Sequence, residues 1–199
     1  MNLPNKLTAS RFVVTAAFLV VMFSEVPFHQ TIALVLFSMG GITDFLDGRI
    51  ARKRNLITNF GILMDPLADK IMTCSAFIAF VAMPETGMKA WMVVVIVARE
   101  LAITGLRLIA ASKNLVLAAE GFGKHKTISQ IVAIVAILTV QAYPQWGGAG
   151  EAIFGFHLIG DTPWSESFVQ LSIWVSVGLT ILSGSIYLWK NREVYLRDM

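Results

Sequence analysis

Six apolar segments, separated by connections of alternating charge, are the feature that most limits what this 199-residue chain can fold into. Most approach the roughly 20 residues that a helix needs to cross a bilayer, and the first is the shortest. Only 15% of the residues are charged and mean hydropathy is +0.68, whereas soluble domains average about 25% charged residues. The sequence therefore predicts an all-α, polytopic membrane protein of one domain, residues 1–199, with six transmembrane helices near residues 9–26, 31–51, 61–83, 89–110, 127–145 and 167–189.

Basic side chains are concentrated in alternate connections. Residues 52–60, residues 111–126 and the C-terminal tail carry them, whereas residues 27–30, 84–88 and 146–166 contain no Lys or Arg. The positive-inside rule then predicts that both termini and the 52–60 connection are cytoplasmic. The 146–166 connection is expected to be external, with a short hairpin or interfacial piece near residues 152–159. Because no small-residue cleavage site follows the first apolar segment, we interpret that segment as a retained span.

Four aspartates interrupt the second and third apolar segments. If both segments are helical, small residues share a face with the carboxylates in each of them. In the second segment the spacing i, i+3, i+4 and i+7 is occupied by Asp44, Asp47, Gly48 and Ala51. In the third, the spacing i, i+4 and i+8 is occupied by Gly61, Asp65 and Asp69. Two antiparallel helices joined by a short basic connection at Arg52–Arg54 would aim four carboxylates at one point.

The depth of these aspartates indicates a cavity rather than the bilayer centre. An acidic residue at the centre of a membrane helix costs about 2.5–3.5 kcal/mol on insertion scales. Asp47 and Asp65 lie about one turn inside their helices, and Asp44 and Asp69 about two turns, or roughly 10 Å. Four adjacent carboxylates repel one another unless cations neutralise them, and all-oxygen ligand sets suit Mg²⁺, Mn²⁺ or Ca²⁺. Salt bridges to Arg49, Arg52 or Lys70 that merely hold helices together are the alternative.

The fourth and fifth segments carry further charges. Arg99 and Glu100 fall near the middle of the fourth segment, which favours a paired structural role. Arg107 is nearer its cytoplasmic end, at the level of Lys124 and Lys126 in the fifth segment. These three cations are either ordinary cytoplasmic flanks or an anion pocket beside the aspartates, and the residues alone leave both interpretations open.

The spacing of the aspartate region resembles the signature of the CDP-alcohol phosphotransferases. It reads Asp44-x2-Asp47-Gly48-x2-Ala51-Arg52-x8-Gly61-x3-Asp65-x3-Asp69, with eight specified positions over 26 residues. A second set of motifs is similar to bacterial members that use sn-glycerol 3-phosphate as acceptor. It comprises Leu3–Thr8 with Arg11, Asp65–Lys70, Ala98–Glu100 with Leu106–Arg107, and Gly123–Thr127. The resemblance covers about residues 3–130.

The resemblance implies a reaction in which the phosphatidyl group of CDP-diacylglycerol passes to sn-glycerol 3-phosphate, releasing CMP. It also implies a two-metal site for Mg²⁺ or Mn²⁺, because such transfer depends on positioning and on screening a pyrophosphate. By similarity Asp44, Asp47 and Asp65 ligate metal, while Asp69 both ligates metal and acts as the general base. The base would take the proton of the acceptor hydroxyl.

The same resemblance implies the substrate sites and partners. The nucleotide site would be formed by Asp44 with Gly48, Ala51 and Arg52, and Asn5 and Thr43 are further candidates. The acceptor phosphate would be bound by Arg107, Lys124 and Lys126, with Arg99 as a further candidate, because these cations remain once metals neutralise the carboxylates. The expected protein is a homodimer in the bacterial plasma membrane, in contact with lipid, with a cytoplasmic active site and no nucleic-acid partner.

Three alternatives remain. A UbiA-like prenyltransferase also carries Asp-rich motifs, but on helix pairs far apart in sequence. A divalent-cation transporter would favour acidic residues continuing towards the external side. Within the family, the acceptor would be serine, inositol phosphate or phosphatidylglycerol, although a neutral acceptor does not require Arg107, Lys124 and Lys126 together.

Overall fold

The computed structural model of the chain describes residues 3–54, 59–113, 115, 117, 122–157 and 161–196. Side chains are described in these ranges except at residues 3–9, 44–54, 59–69, 122, 193 and 196. The described part is helical and contains no strand, which confirms the all-α prediction. Its helices are α1 (Leu3–Met22), α2 (His29–Arg54), α3 (Asn59–Val81), α4 (Ala90–Ser112), α5 (Phe122–Ala142), α6 (Gly148–Phe154), α7 (Trp164–Lys190) and α8 (Arg192–Leu196).

The helix boundaries differ from the sequence prediction at several places; α5, for example, begins five residues earlier than expected, at Phe122. α1 begins at Leu3 rather than near residue 9, because Pro4 falls in the first turn, where a missing N–H costs no hydrogen bond. α2 continues through Arg54, so the basic residues expected in a connection are helical, in keeping with the good helix propensity of Arg and Lys. The short helix α6 begins at Gly148, earlier than the piece expected near residues 152–159, directly after Gly147 with its φ of 64°.

Two stretches of the described chain are long and apolar enough to cross a membrane. They are Gly123–Trp146, which comprises α5 and the following 3₁₀ turn, and Trp164–Lys190, which is α7. Shorter apolar helical stretches occur at Ser10–Met22 and Lys70–Val81. Together they support a membrane protein, while the number of six spans stays a prediction.

The long helices enclose an apolar core. α1 packs on α2 and α3; α5 packs on α2, α3 and α7; α4 packs on α3 and α7. Phe18 and Phe37 meet with ring centroids 6.0 Å apart, and Phe77 meets Phe80 edge to face at 6.4 Å. We call this cluster the apolar core; its largest fully buried side chains include Phe18, Phe77, Phe80, Met22, Met92, Ile96, Ile134, Ile137, Leu138 and Ile173.

Hydrogen bonds between helix ends define one end of the bundle. The hydroxyl of Thr31, in the first turn of α2, donates to Gln145 Oε1 (3.0 Å) and accepts from Trp146 Nε1 (2.9 Å). The backbone N–H of Thr31 donates to the same Gln145 oxygen (3.3 Å). We call this end the acidic end; its connections and helix starts carry Glu25, Glu85, Glu151, Asp161 and Glu166, together with Lys89.

The other end, which we call the basic end, lies where α4 and α7 finish. Lys113 Nζ donates to the carbonyl of Val194 in α8 (3.2 Å), so the C-terminal helix folds back onto the end of α4. Arg107, Lys113, Lys190 and Arg192 all belong to this end. The separation of charge between the two ends agrees with the bias read from the sequence.

Candidate active site

The backbone at all four aspartates is helical, as predicted. Asp44 and Asp47 belong to α2, and Asp65 and Asp69 to α3. Their side chains, with those of Gly48, Ala51 and Arg52, lie outside the described residues, and their predicted roles stay predictions. Among the residues that the structure does describe, no group of three or more His, Cys, Asp or Glu is arranged to hold a metal ion.

Thr43, a predicted nucleotide contact, is exposed at the start of this region. Its hydroxyl donates back to the carbonyls of Met39 and Gly40, both at 2.9 Å, within α2. This is the common way in which a threonine satisfies its hydroxyl inside a helix. A substrate contact would use the two lone pairs of the same oxygen.

A buried carboxylate, Glu100, stands at the meeting point of α3, α4 and α5. It is only 5% exposed. Lys126 is 4% exposed, and its Nζ contacts Glu100 Oε1 directly. Arg99 Nη1 lies 3.2 Å from the same oxygen, and Lys70 Nζ lies 3.2 Å from Oε2. We call Lys70, Arg99, Glu100 and Lys126 the Glu100 cluster.

The cluster explains how charge is tolerated inside the bundle. An isolated buried charge is costly, and pairing with hydrogen bonds offsets that cost. The predicted pairing of Arg99 with Glu100 is confirmed. The sequence did not predict that Glu100 also forms ion pairs with Lys70 of α3 and Lys126 of α5.

Lys70 fastens α3 to α4. Its ammonium donates hydrogen bonds to Thr104 Oγ1 and to the backbone carbonyl of Glu100 (3.3 Å), and it forms an ion pair with Glu100 Oε2. The two hydrogen bonds use two of the three N–H donors of the ammonium, and every one of these contacts is with α4. Lys70 directly follows Asp69 in the chain, and its attachment therefore fixes α3 next to the predicted base.

Arg99 fits because Gly184 faces it. A Cβ at Gly184 in α7 would lie 2.8 Å from Arg99 Cγ, closer than real Cβ contacts allow. Arg99 Nη2 reaches Ser183 Oγ at 3.4 Å, at the limit for a hydrogen bond, which links the cluster to α7. The stem of Arg99 thus packs on bare helix backbone while its guanidinium turns to Glu100.

The remaining predicted acceptor cations have different surroundings. Arg107 is exposed; its Nε donates to Tyr187 Oη (3.2 Å) and its guanidinium lies 5.4 Å from the centre of that ring. Lys124 is exposed at the start of α5. Arg107 is seven residues beyond Glu100, or roughly 10 Å along α4. The structure thus gives Arg107 and Lys126 separate partners at two depths.

Residues in the site that sequence reasoning missed are Lys70 as a clamp, and Ser183, Gly184 and Tyr187 in α7. The signal for Glu100 was present, since an acidic side chain in the middle of an apolar segment demands a partner. No signal connects α7 with this region, because Ser183 and Gly184 resemble ordinary small residues at a helix contact.

The sequence matches the CDP-alcohol phosphatidyltransferase family over residues 1–182. The chain therefore belongs to this family, as the spacing of its aspartates predicted.

Two of the following three relatives match almost the whole chain, and the third matches two thirds of it. The CDP-diacylglycerol–glycerol-3-phosphate 3-phosphatidyltransferase of Bacillus subtilis (strain 168) is 38% identical over 204 residues, covering 96% of each chain. The protein of the same name from Rickettsia bellii (strain RML369-C) is 31% identical, covering 94% of this chain and 93% of its own. A probable phosphatidylglycerophosphate synthase of Mycobacterium tuberculosis (strain CDC 1551 / Oshkosh) is 38% identical over 136 residues, covering 67% of this chain and 64% of its own.

Proposed function

We propose that this chain transfers the phosphatidyl group of CDP-diacylglycerol to sn-glycerol 3-phosphate, giving phosphatidylglycerophosphate and CMP. The observation that carries the proposal is the near full-length similarity to transferases of that name. The buried and exposed cations of α4 and α5 support the same acceptor, because they offer a doubly charged phosphate several N–H donors.

The donor set of α2 and α3 fits a divalent metal. Four carboxylates, from Asp44, Asp47, Asp65 and Asp69, provide the hard oxygen ligands that Mg²⁺ and Mn²⁺ prefer. Bound there, two such ions would polarise the pyrophosphate of the lipid substrate and offset its negative charge. We propose these four residues as the ligands.

Proton transfer falls to Asp69. Its carboxylate takes the proton of the acceptor's 1-hydroxyl, and the freed oxygen forms a bond to the phosphorus that carries diacylglycerol. The bond from that phosphorus to the CMP oxygen breaks, and CMP leaves with the electron pair. Gly48 and Ala51 leave room for the cytidine, Arg52 meets a phosphate, and Thr43 offers its hydroxyl.

Acceptor recognition falls to Arg107, Lys124 and Lys126. Arg107 can bind two phosphate oxygens with its planar guanidinium, while the lysines act as point charges. Since Arg107 and Lys124 are exposed and Lys126 is buried, the first two would meet the incoming phosphate and the third would hold it at depth.

The outward faces of the helices support a multi-pass membrane location. Val94, Leu101 and Leu108 are spaced seven residues apart on α4 and are 65%, 64% and 53% exposed. An exposed row of apolar side chains of this kind is unusual on a soluble monomer and is suited to contact with lipid. We propose six spans in a bacterial plasma membrane, with the basic end and the active site in the cytoplasm, and a homodimer as the assembly.

An acceptor panel tests the proposal. The purified protein is incubated with CDP-diacylglycerol, Mg²⁺ or Mn²⁺, and either sn-glycerol 3-phosphate, serine, inositol phosphate or phosphatidylglycerol, and CMP release is scored. We expect release with sn-glycerol 3-phosphate and its loss on chelation of the metal. Release with serine but not with sn-glycerol 3-phosphate would overturn the acceptor and retain the family.

A further inference from the structure

The Glu100 cluster joins three cations to one carboxylate. Lys126 and Arg99 share Oε1, and Lys70 takes Oε2. Within the described residues the cluster therefore carries an excess of two positive charges. In a low-dielectric interior such an excess attracts an anion, and a phosphate dianion would match it.

The three cations do not have equal freedom. Lys70 donates two hydrogen bonds and forms an ion pair, all with Glu100 and Thr104 on α4. Lys126 is more deeply buried, its side chain 5% exposed against 25% for Lys70. Among the described residues Glu100 Oε1 is its hydrogen-bond acceptor, which uses one donor of three. Two donors of Lys126 thus remain for another acceptor, and their direction is set by the bond to Glu100.

We propose that Glu100 is a positioning residue for the acceptor alcohol: it holds the Lys126 ammonium in place and aims its two remaining donors at the acceptor's phosphate. The inference rests on the proposed function, in which sn-glycerol 3-phosphate is the acceptor. Glu100 does not touch the phosphate, because two anions in contact repel each other. It acts through Lys126, and Lys70 keeps it attached to α3.

Two physical roles for Glu100 predict effects of opposite sign. If its charge merely weakened the positive field, removing it would strengthen binding of a dianion and lower the KM. If it positions Lys126, removing it leaves a buried ammonium without its partner, and the KM rises. The sign of the change therefore separates the two roles.

The first experiment compares Glu100→Gln with Glu166→Gln in the full chain with Mg²⁺. Both variants remove one carboxylate, but Glu166 is exposed at the start of α7, 17 residues and roughly 25 Å from Ser183. For Glu100→Gln we expect the KM for sn-glycerol 3-phosphate to rise about tenfold or more. The KM for CDP-diacylglycerol should stay within about twofold, and Glu166→Gln should change neither constant beyond that range.

The second experiment tests whether Glu100 acts through Lys126. The double variant Glu100→Gln/Lys126→Met should have the same acceptor KM as Lys126→Met alone, within about twofold. Glu100→Asp keeps the charge and should recover part of the loss. If Glu100→Gln cannot be recovered folded, the acceptor KM of Glu100→Asp decides, with a rise confined to the acceptor expected there too.

Three results would overturn the inference: a lowered or unchanged acceptor KM in Glu100→Gln, equal rises for both substrates, or effects of Glu100→Gln and Lys126→Met that add. Failure of the proposed function looks different. In that case the unaltered protein itself would not release CMP with sn-glycerol 3-phosphate, whatever stands at position 100.

Discussion

The apolar core and the Glu100 cluster are buried in the same bundle by opposite means. α3, α4 and α5 contribute to both: Phe77, Ile96 and Ile134 to the core, and Lys70, Glu100 and Lys126 to the cluster. The core excludes solvent with side chains that need no partners. The cluster buries charges that each require a partner from another helix.

The apolar core and the Glu100 cluster therefore differ in how much they contribute to the stability of the fold. Moving an apolar side chain from lipid into the protein interior gains little free energy, because both surroundings are apolar. The core therefore stabilises the fold mainly through close packing. A buried ion cluster is costly to form and is often replaceable by apolar residues without loss of stability. A cluster of this kind between α3, α4 and α5 is therefore weak evidence for a role in stability, which fits the substrate-binding role that we propose for it.

The largest expected effect is the loss of turnover when a charged residue of the proposed active site is replaced. Asp69→Asn should lower turnover about 10²–10⁴-fold, the usual contribution of a general base, because the amide cannot accept the hydroxyl proton. CMP release and thermal unfolding are measured together. Asp161→Asn, at an exposed position before α7, is the matched control and should retain activity. Near-normal turnover of Asp69→Asn would refute the base role.

A substitution in the apolar core should lower stability and leave substrate binding unchanged. Phe80 is fully buried, whereas Phe23 is 59% exposed. Phe80→Ala should lower the free energy of unfolding by about 3 kcal/mol, the low end of the usual range, because lipid solvates apolar groups in the unfolded chain as well. Phe23→Ala should change it by less than about 0.5 kcal/mol. The KM values of folded Phe80→Ala for both substrates should not change. A rise in the KM for sn-glycerol 3-phosphate alone would contradict the separate roles of the core and the cluster.

An intermediate effect is expected at the basic end. Arg107→Ala should raise the KM for sn-glycerol 3-phosphate about tenfold or more, because a hydrogen bond to a charged group contributes roughly 1.5–3 kcal/mol. Tyr187→Phe removes only the hydroxyl that Arg107 Nε contacts, and a rise of about twofold is expected. Steady-state kinetics with each substrate varied in turn provide the test. An unchanged acceptor KM in Arg107→Ala would place the phosphate elsewhere.

The smallest effect concerns two glycines of α7. Gly184→Ala should lower the free energy of unfolding by about 1 kcal/mol, the low end for overpacking, because the new methyl group would overlap the flexible Arg99 stem. Gly178→Ala meets nothing within 4 Å and should stabilise the helix by about 0.5–1 kcal/mol. Thermal unfolding of both variants in the same detergent decides. Equal shifts would mean that Arg99 moves aside without cost.

The sequence was sufficient for the helical architecture, the family and the helices that hold the aspartates. Long apolar segments and the spacing of Asp44, Asp47, Asp65 and Asp69 carry that information locally. The sequence also indicated that Glu100 needed a cation, and its neighbour Arg99 was the obvious one.

The remaining partners could not be found in this way. Lys70 and Lys126 are 30 and 26 residues from Glu100, and the pairing depends on how α3, α4 and α5 rotate about their axes when they pack. That rotation is a tertiary property. Gly184 likewise gains its meaning from Arg99, 85 positions earlier in the chain.

The hydrogen bonds of Thr31 with Gln145 and Trp146 also bear on the distant aspartates. They tie the first turn of α2 to the end of α5, and α2 runs without interruption from there to Arg54. Position 44 is 13 residues further along, or roughly 20 Å. A slip of α2 by a single residue would displace that backbone by about 1.5 Å and turn it by about 100°. These hydrogen bonds at the acidic end thus fix the position and the rotation of α2, and with them the placement of the backbone in its opposite half.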